Sequence, residues 1–217
     1  MTQFGRSDAV RLIKDQALSY REEPFKVVSG ESHWYIDVKQ ALQGQNLLRI
    51  GELAIRTAHE KLGVTFNVVG GPTMGADPIS FAIALAAQNL PDNPFDCSFF
   101  SVRKEIEEEK RAQTIPPESP PRFPPGTPEE WFWLEYYPPK EGDRVLWVED
   151  AISTGASVEK AMQRFREHPT ARHAEIVGAL AVVDRGEHAK ALFARLGFPY
   201  DALVTYRDLD IPHIGQG

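Results

Sequence analysis

Several short segments of this chain are continuous apolar runs, and segments with helical periodicity separate them. The clearest runs are FNVV at 66–69, VLWV at 145–148 and the apolar part of 174–183. A strand with one face in water alternates apolar and polar side chains, whereas a strand buried on both faces does not. Parallel sheets covered by helices on both faces bury their strands in this way. We therefore predict an α/β fold with a central parallel sheet flanked by helices.

The rest of the chain fits this plan, with a hairpin added near the N-terminus. Residues Ser29 and Gly30 are typical of the turn between two strands, and 34–38 would form the return strand. We predict one domain over residues 1–217, with the hairpin as a small subdomain. The predicted helices are 7–20, 44–63, 78–90, 157–168 and 188–197, and the predicted strands are 66–69, 95–102, 145–148, 174–183 and 202–206.

Residues 105–130 break the alternation of strands and helices. They begin EIEEEKR and continue as a segment crowded with prolines, AQTIPPESPPRFPPGTPEE. Proline excludes both a helix interior and a central strand. A long loop inside a compact domain is usually a functional lid or a disordered segment. The segment WFWLEYY that follows can form a strand that returns to the sheet.

Composition excludes several classes of protein. The net charge of -7 over 217 residues argues against general nucleic-acid binding. No apolar run is long enough to span a bilayer. The single cysteine, Cys97, excludes an internal disulfide, and its aromatic neighbours indicate a core thiol. With no leader pattern visible, we expect cytoplasmic residence.

Residues suited to binding a ligand follow three of the predicted strands. The first is followed by GGPTMGADP (70–78), whose glycines let backbone amides approach a ligand closely. The second is followed by Arg103 and Lys104, two donors suited to phosphate oxygens. The third, VLWV, is followed by the stretch EDAISTGAS (149–157), which leads into a helix. Ligands of open α/β sheets bind at the carboxyl ends of the strands, so we expect these loops to form one site.

The stretch 149–157 combines two acids with a loop that suits an anion. Free amides and the dipole of the following helix would receive a phosphate at 153–157. Glu149 and Asp150 can accept hydrogen bonds from vicinal hydroxyls or hold a hydrated Mg²⁺. Taken singly, each of the three loops is most simply an ordinary turn, cap or surface pair. Together they favour a ligand with both a diol and a phosphate, which is a ribose 5-phosphate.

VLWVEDAISTGAS resembles the phosphoribosyl diphosphate (PRPP) motif of type I phosphoribosyltransferases. Further segments are similar to one branch, the orotate phosphoribosyltransferases. VVSGESHWYIDVKQAL resembles their N-terminal hood, and VVGGPTMGADPISFAIA their loop on the diphosphate side. SVRKE resembles the start of their mobile catalytic loop, GALAVVDRGE the strand whose arginine holds the base, and TYRDLDI the closing strand. The likeness covers residues 25–210, with a hood at about 20–43 and a mobile lid at about 105–130.

The resemblance implies an activity and a set of site residues. The activity is transfer of 5-phosphoribosyl from PRPP to a nucleobase, with orotate as the leading candidate. Mg²⁺ carried by PRPP is implied as the cofactor, with Asp150 touching it through water, and so is a homodimer. The residues implied for PRPP are Glu149, Asp150, Ala151, Ile152, Ser153, Thr154, Gly155, Ala156, Ser157, Thr73, Met74, Arg103 and Lys104. The residues implied for the base are Ser153, Arg185, Tyr35 and Ile36, and those implied in catalysis are Asp150, Glu149, Arg103 and Lys104.

The sequence also departs from the family's pattern. Glu107 and Glu109 stand where the mobile loop has a lysine and a histidine, and Val28 stands where a hood lysine is common. The lid is also longer and richer in proline. Two further hypotheses therefore remain: a phosphoribosyltransferase for a different base, and a PRPP- or nucleotide-binding regulator that has lost catalysis. A plain interaction module built on the proline-rich segment would leave the three loops unexplained.

Overall fold

The structure is a computed structural model, and it describes residues 3–27, 30–89, 96–103 and 133–212. The predicted lid at 105–130 and Lys104 lie outside the described residues, as do Val28 and the Ser29 side of the predicted turn.

A six-stranded sheet forms the centre of the molecule. Its strands are β3 (Val68–Pro72), β4 (Ser98–Val102), β5 (Leu134–Tyr136), β6 (Arg144–Ile152), β7 (Glu175–Asp184) and β8 (Tyr200–Thr205). They lie in the order β5-β4-β3-β6-β7-β8. Neighbouring strands are parallel, except that the short edge strand β5 runs antiparallel to β4. The predicted α/β class with a mostly parallel sheet is confirmed.

The described part of the chain also contains a separate two-stranded hairpin, six α-helices and a 3-10 turn, Ala171–His173. The hairpin pairs β1 (Leu18–Val27) with β2 (Gly30–Ile36) in antiparallel fashion. The helices are α1 (Arg6–Gln16), α2 (Val38–Ala41), α3 (Gln45–Thr57), α4 (Ala76–Asn89), α5 (Ala156–Glu167) and α6 (Ala189–Leu196). A π-helical turn, Ala58–Leu62, extends α3 and ends at Gly63, whose φ of 68° lies in the left-handed region that favours glycine.

Helices cover both faces of the sheet, and the side chains of β6 show this directly. Leu146 and Val148 pack into an apolar core that includes α1, α3 and α4. Val145 and Trp147 pack into a second core with α5 and α6. Successive residues of the strand are thus buried on opposite sides, which is why VLWV is apolar throughout.

Some element boundaries differ from the predictions. β6 does not stop at Val148 but runs to Ile152, because its ladder with β7 continues to the pair Ile152–Asp184. The two acids therefore lie inside the strand, not after it. At the N-terminus, residues 18–20 were predicted as helix but belong to β1, where Leu18 pairs with Ile36. Pairing with a distant strand decided both boundaries, and local polarity gave no sign of it.

No helix in the described ranges is long and apolar enough to cross a membrane.

Candidate active site

The two adjacent acids of β6 lie on opposite sides of the strand. Glu149 is on the side of Trp147, whose indole Nε1–H donates to Glu149 Oε1 at 3.1 Å. Only 6% of Glu149 is exposed, so this carboxylate is held in place at the buried edge of the site. Asp150 is half-buried and lies on the other side, near Gly75. A ligand at this edge of the sheet would meet one carboxylate from each side of β6.

Asp150 is in close contact with the loop after β3. A Cβ atom built on Gly75 would lie 2.3 Å from Asp150 Oδ1 and 2.5 Å from Oδ2, so only glycine leaves room for the carboxylate. The backbone N–H of Ala151 donates to Asp150 Oδ1 at 2.7 Å. The loop and the backbone together fix the orientation of this side chain.

The loop at 73–75 was predicted to lie on the diphosphate side of the site. The N–H of Thr73 donates to the carbonyl of Val102 at 2.8 Å, which ties the loop to the end of β4. Met74 is exposed, and the peptide bond between Thr73 and Met74 is cis. Through Gly75 the structure brings this loop together with Asp150.

The predicted phosphate loop leads into α5 through Gly155. This residue has φ 80° and precedes the first helical residue, so the chain turns in a conformation that favours glycine. Ser153 and Thr154 are half-buried, and Ala156 and Ser157 are exposed at the start of the helix. The first amides of a helix have no intrahelical acceptor. Because α5 starts at the same edge as Asp150, an anion bound there would lie beside the two acids.

Arg185 follows β7 and reaches the hairpin. Its N–H donates to the carbonyl of Ile152 at 2.8 Å, and its Nη2 donates to the carbonyl of Trp34 at 2.7 Å. Only 9% of Arg185 is exposed, and burial lowers the pKa of its guanidinium. Within the described part of the chain, its buried Nε–H has no acceptor. A buried cationic donor without an acceptor is costly, so this one is suited to an anionic ligand.

Two other residues predicted to hold the base, Ser153 and Tyr35, lie near Arg185. Gly186, the next residue, packs against the backbone of Ser153, since a Cβ atom at Gly186 would lie 2.8 Å from the Ser153 carbonyl oxygen. Tyr35 is 39% exposed and close enough to Arg185 to affect the pKa of its guanidinium. Ile36, the next residue of β2, is buried in the core. The structure therefore brings Ser153, Arg185 and Tyr35 together and turns the Ile36 side chain away from them.

Arg103 lies on the face of the sheet covered by α5. Its Nε is 2.7 Å from Glu135 Oε1, and its carbonyl accepts a hydrogen bond from Arg164. It lines a cavity of about 500 Å³ together with Ser157 and Lys160 of α5. Ser157 also belongs to the predicted phosphate loop, so Arg103 and that loop share this cavity.

Lys39 was not predicted as a site residue, although it lies in the quoted hood segment two residues after Asp37. Its Nζ is 3.0 Å from Asp37 Oδ1. The hydrogen bond to Asp37 raises the pKa of Lys39 against the effect of burial, and the charges of Asp150 and Tyr35 add to the rise. The only signal in the sequence was the presence of a lysine beside a Tyr-x-Asp motif, and the short helix α2 that carries it was not foreseen.

Among the residues that the structure describes, no group of three or more histidine, cysteine, aspartate or glutamate side chains could hold a metal ion. Asp150 offers carboxylate oxygens, the ligand type that Mg²⁺ prefers, at a half-buried position. This donor set fits a cation that is held mainly by a ligand and touches the protein at one carboxylate.

No family model matches the chain. An orotate phosphoribosyltransferase of Pyrococcus furiosus is 35% identical over 186 residues, which are 85% of this chain and 85% of the relative. That of Aquifex aeolicus is 32% identical over 213 residues, covering 96% of this chain and 100% of the relative. The crystal structure of Mycobacterium tuberculosis orotate phosphoribosyltransferase in complex with PRPP has a TM-score of 0.61 at 26% identity, covering 94% of this chain and 90% of that chain. By this similarity, the chain belongs to the orotate phosphoribosyltransferase family.

Proposed function

We propose that this enzyme transfers the 5-phosphoribosyl group of PRPP to orotate, forming orotidine 5′-phosphate and diphosphate in pyrimidine nucleotide biosynthesis. The observation that carries the choice of base is Arg185, a buried guanidinium whose Nε–H has no acceptor among the described residues. Ser153 and Tyr35 lie next to it. A carboxylate on the base would accept from Arg185 and compensate its buried charge.

The other proposed contacts are made to three parts of PRPP: the ribose, the 5-phosphate and the diphosphate. Asp150 and Glu149 would hold the ribose hydroxyls from the two sides of β6. The residues of 151–157 would hold the 5-phosphate, with the start of α5 supplying amides and a favourable dipole. Thr73 and Met74 would lie along the diphosphate. We further propose that Arg103 and Lys104 act on the diphosphate from a mobile lid.

In the reaction, the bond from the anomeric carbon to the diphosphate oxygen breaks, a bond to a ring nitrogen of the base forms, and that nitrogen gives up its proton. Positive charge develops on the ribose, and negative charge on the departing diphosphate. Asp150 and Glu149 would orient the ribose and stabilise its developing charge. Mg²⁺ bound by the diphosphate would neutralise part of the leaving group's charge, and Asp150 is the residue that would contact this ion through water.

The test is an assay with PRPP, Mg²⁺ and orotate that follows the loss of orotate absorbance and the release of diphosphate. We expect turnover with orotate and none with uracil or adenine, which lack the carboxylate. Replacing Arg185 by Gln should raise the KM for orotate at least tenfold and leave the affinity for PRPP within about twofold. Turnover of a neutral base but not of orotate would refute the assignment of the base.

One sequence observation favours a second candidate, a PRPP-binding regulator without catalysis. Glu107 and Glu109 would place carboxylates near a departing diphosphate, where like charges raise the barrier. The same assay separates the two candidates. Binding of PRPP by calorimetry, with no diphosphate released across a panel of bases, would favour the regulator.

We also propose that the enzyme is a homodimer. Phe81 and Leu85 of α4 and Tyr136 of β5 are exposed, and Phe99 links Phe81 and Tyr136 through ring contacts of 4.8 Å. A contiguous aromatic surface of this kind is typical of a protein interface. Light scattering after gel filtration should give twice the chain mass, and Phe81→Lys should shift it towards one chain. An unchanged dimer would show that this surface is not the interface.

The domain assignment is a proposal as well: one domain over 1–217, with the hairpin region at about 20–43 covering the base and residues 105–130 acting as the lid. The hydrogen bond from Arg185 to Trp34 supports it, because it fixes β2 to the end of β7. Cytoplasmic residence stays a prediction.

A further inference from the structure

The diphosphate of PRPP needs cations, and this chain lacks several at the places where the family pattern supplies them. Val28 replaces the hood lysine, and Glu107 and Glu109 replace the lysine and histidine of the lid. The loop GGPTMGADP at 70–78, next to the proposed diphosphate position, contains neither lysine nor arginine. Arg103 is paired with Glu135 on the α5 face. A further cation on the Gly75 side of Asp150 would supplement Lys104, the residue proposed to act on the diphosphate from the lid.

Lys39 is placed to supply it. It lies in α2, which packs against β6, the strand of Asp150. Its neighbours Val38 and Ala41 are buried in the core shared with α4, the helix that begins directly after Gly75. The helix is thus anchored on the same face of the sheet as the loop at 73–75. Arg103 and its cavity lie on the opposite face.

Asp37 limits where the Lys39 ammonium can lie. The backbone N–H of Asp37 donates to the carbonyl of Ala17 at 2.9 Å, which fixes the chain just before α2. Its carboxylate is mostly buried and lies 3.0 Å from Lys39 Nζ, while the Lys39 side chain is 45% exposed. The Lys39 ammonium is therefore held by the Asp37 carboxylate, and its remaining N–H donors can still reach a ligand.

The electrostatic surroundings agree with this placement. The contact of the Lys39 ammonium with the Asp37 carboxylate raises the pKa of Lys39, and burial opposes the rise. The charges of Asp37, Asp150 and Tyr35 also favour the protonated form. Lys39 therefore carries its charge at neutral pH. Asp150, the residue proposed to hold the ribose, is one of the groups whose charge raises the pKa of Lys39.

We infer that Lys39 binds the diphosphate group of PRPP, and that Asp37 is a positioning residue for its ammonium. The inference rests on the proposed function and adds to it a contact that compensates for the missing hood and lid cations. Loss of one charge-assisted hydrogen bond to a phosphate should weaken binding roughly 10- to 100-fold.

The test measures binding without turnover. Calorimetry with Mg²⁺ would compare PRPP, inorganic diphosphate and ribose 5-phosphate on the wild-type enzyme, Lys39→Gln, Lys39→Arg and a control, Lys190→Gln, at an exposed position of α6. We expect Lys39→Gln to weaken PRPP and diphosphate at least tenfold and ribose 5-phosphate by less than twofold. Lys39→Arg should recover most of the loss, and Lys190→Gln should change none of the three.

The outcomes separate this inference from the proposed function. Equal weakening of PRPP and ribose 5-phosphate by Lys39→Gln would place the contact away from the diphosphate and overturn the inference, as would unchanged PRPP binding. A wild-type enzyme that binds PRPP but does not consume orotate would refute the proposed function and leave the role of Lys39 measurable. Asp37→Asn provides a second test. It should weaken diphosphate binding less than Lys39→Gln does, because the Lys39 ammonium remains but loses the carboxylate that positions it.

Discussion

Replacing Gly75 by alanine would push directly on the Asp150 carboxylate. The new Cβ would lie 2.3 Å from Oδ1, 2.4 Å from Cγ and 2.5 Å from Oδ2. An ordinary contact between such atoms begins near 3.4 Å. The carboxylate must therefore move by about 1 Å, since the backbone on either side of it is fixed in the β6–β7 ladder.

This displacement should cost binding and catalysis more than stability. Asp150 is half-buried and ends in a carboxylate that can rotate towards the ligand space, so we expect a loss of unfolding free energy below about 1 kcal/mol. A misplacement of about 1 Å in a positioning group can cost roughly 10²-fold in rate. We therefore expect kcat/KM for PRPP to fall about 100-fold, which corresponds to about 2.7 kcal/mol of transition-state stabilisation.

Two other glycines provide matched controls. A Cβ on Gly5 would meet nothing within 4 Å, so Gly5→Ala should leave the activity unchanged. A Cβ on Gly51 would lie 2.2 Å from the backbone oxygen of Ala82, where α3 packs on α4. A backbone atom cannot move aside cheaply, so Gly51→Ala should lower the free energy of unfolding by about 1–3 kcal/mol. It should leave the KM for PRPP nearly unchanged in the folded fraction.

The measurements are steady-state kinetics with PRPP varied at saturating orotate, calorimetric titration of PRPP, and urea unfolding of all three variants. The reasoning is refuted if Gly75→Ala keeps kcat/KM for PRPP within about threefold of the wild type. It is also refuted if the loss of activity in Gly75→Ala follows its loss of stability, as in Gly51→Ala. Either result would mean that the position of the Asp150 carboxylate does not decide PRPP use.

Two further predictions concern buried groups. Trp147→Phe removes the indole N–H that donates to Glu149, and it should lower the free energy of unfolding, measured in urea, by about 1–3 kcal/mol. The loss should be smaller when Glu149 is also replaced by Gln. An equal loss in both backgrounds would show that lost packing alone is responsible. Burial raises the pKa of the Cys97 thiol from 9.0 to about 12. Iodoacetamide at pH 8 should therefore label this thiol only after unfolding. Rapid labelling of the native enzyme would contradict its burial. Because the folded state keeps the thiol proton longer than the unfolded state, stability from this group is present below pH 9.0 and is lost as pH rises towards 12; Cys97→Ala should remove that part of the alkaline slope.

Local sequence patterns determined the fold class and most of the elements. Apolar runs such as VLWV predict strands buried on both faces, and the structure confirms this, with alternate residues packed into two cores. Gly63 ends its helix as predicted because a left-handed residue there favours glycine. Residues 149–157 and Arg185 could be assigned to one edge of the sheet, because parallel strands bring their carboxyl ends together.

Only the tertiary structure decided how the side chains at that edge are directed. The sequence places Glu149 and Asp150 side by side, but a strand that continues to Ile152 sends them to opposite sides, towards Trp147 and Gly75. How far β6 extends depends on its partner β7, which is distant in the chain, so no local pattern could show it. Lys39 was missed for the same reason. Its neighbourhood depends on α2 packing against β6, and that contact forms between segments more than a hundred residues apart.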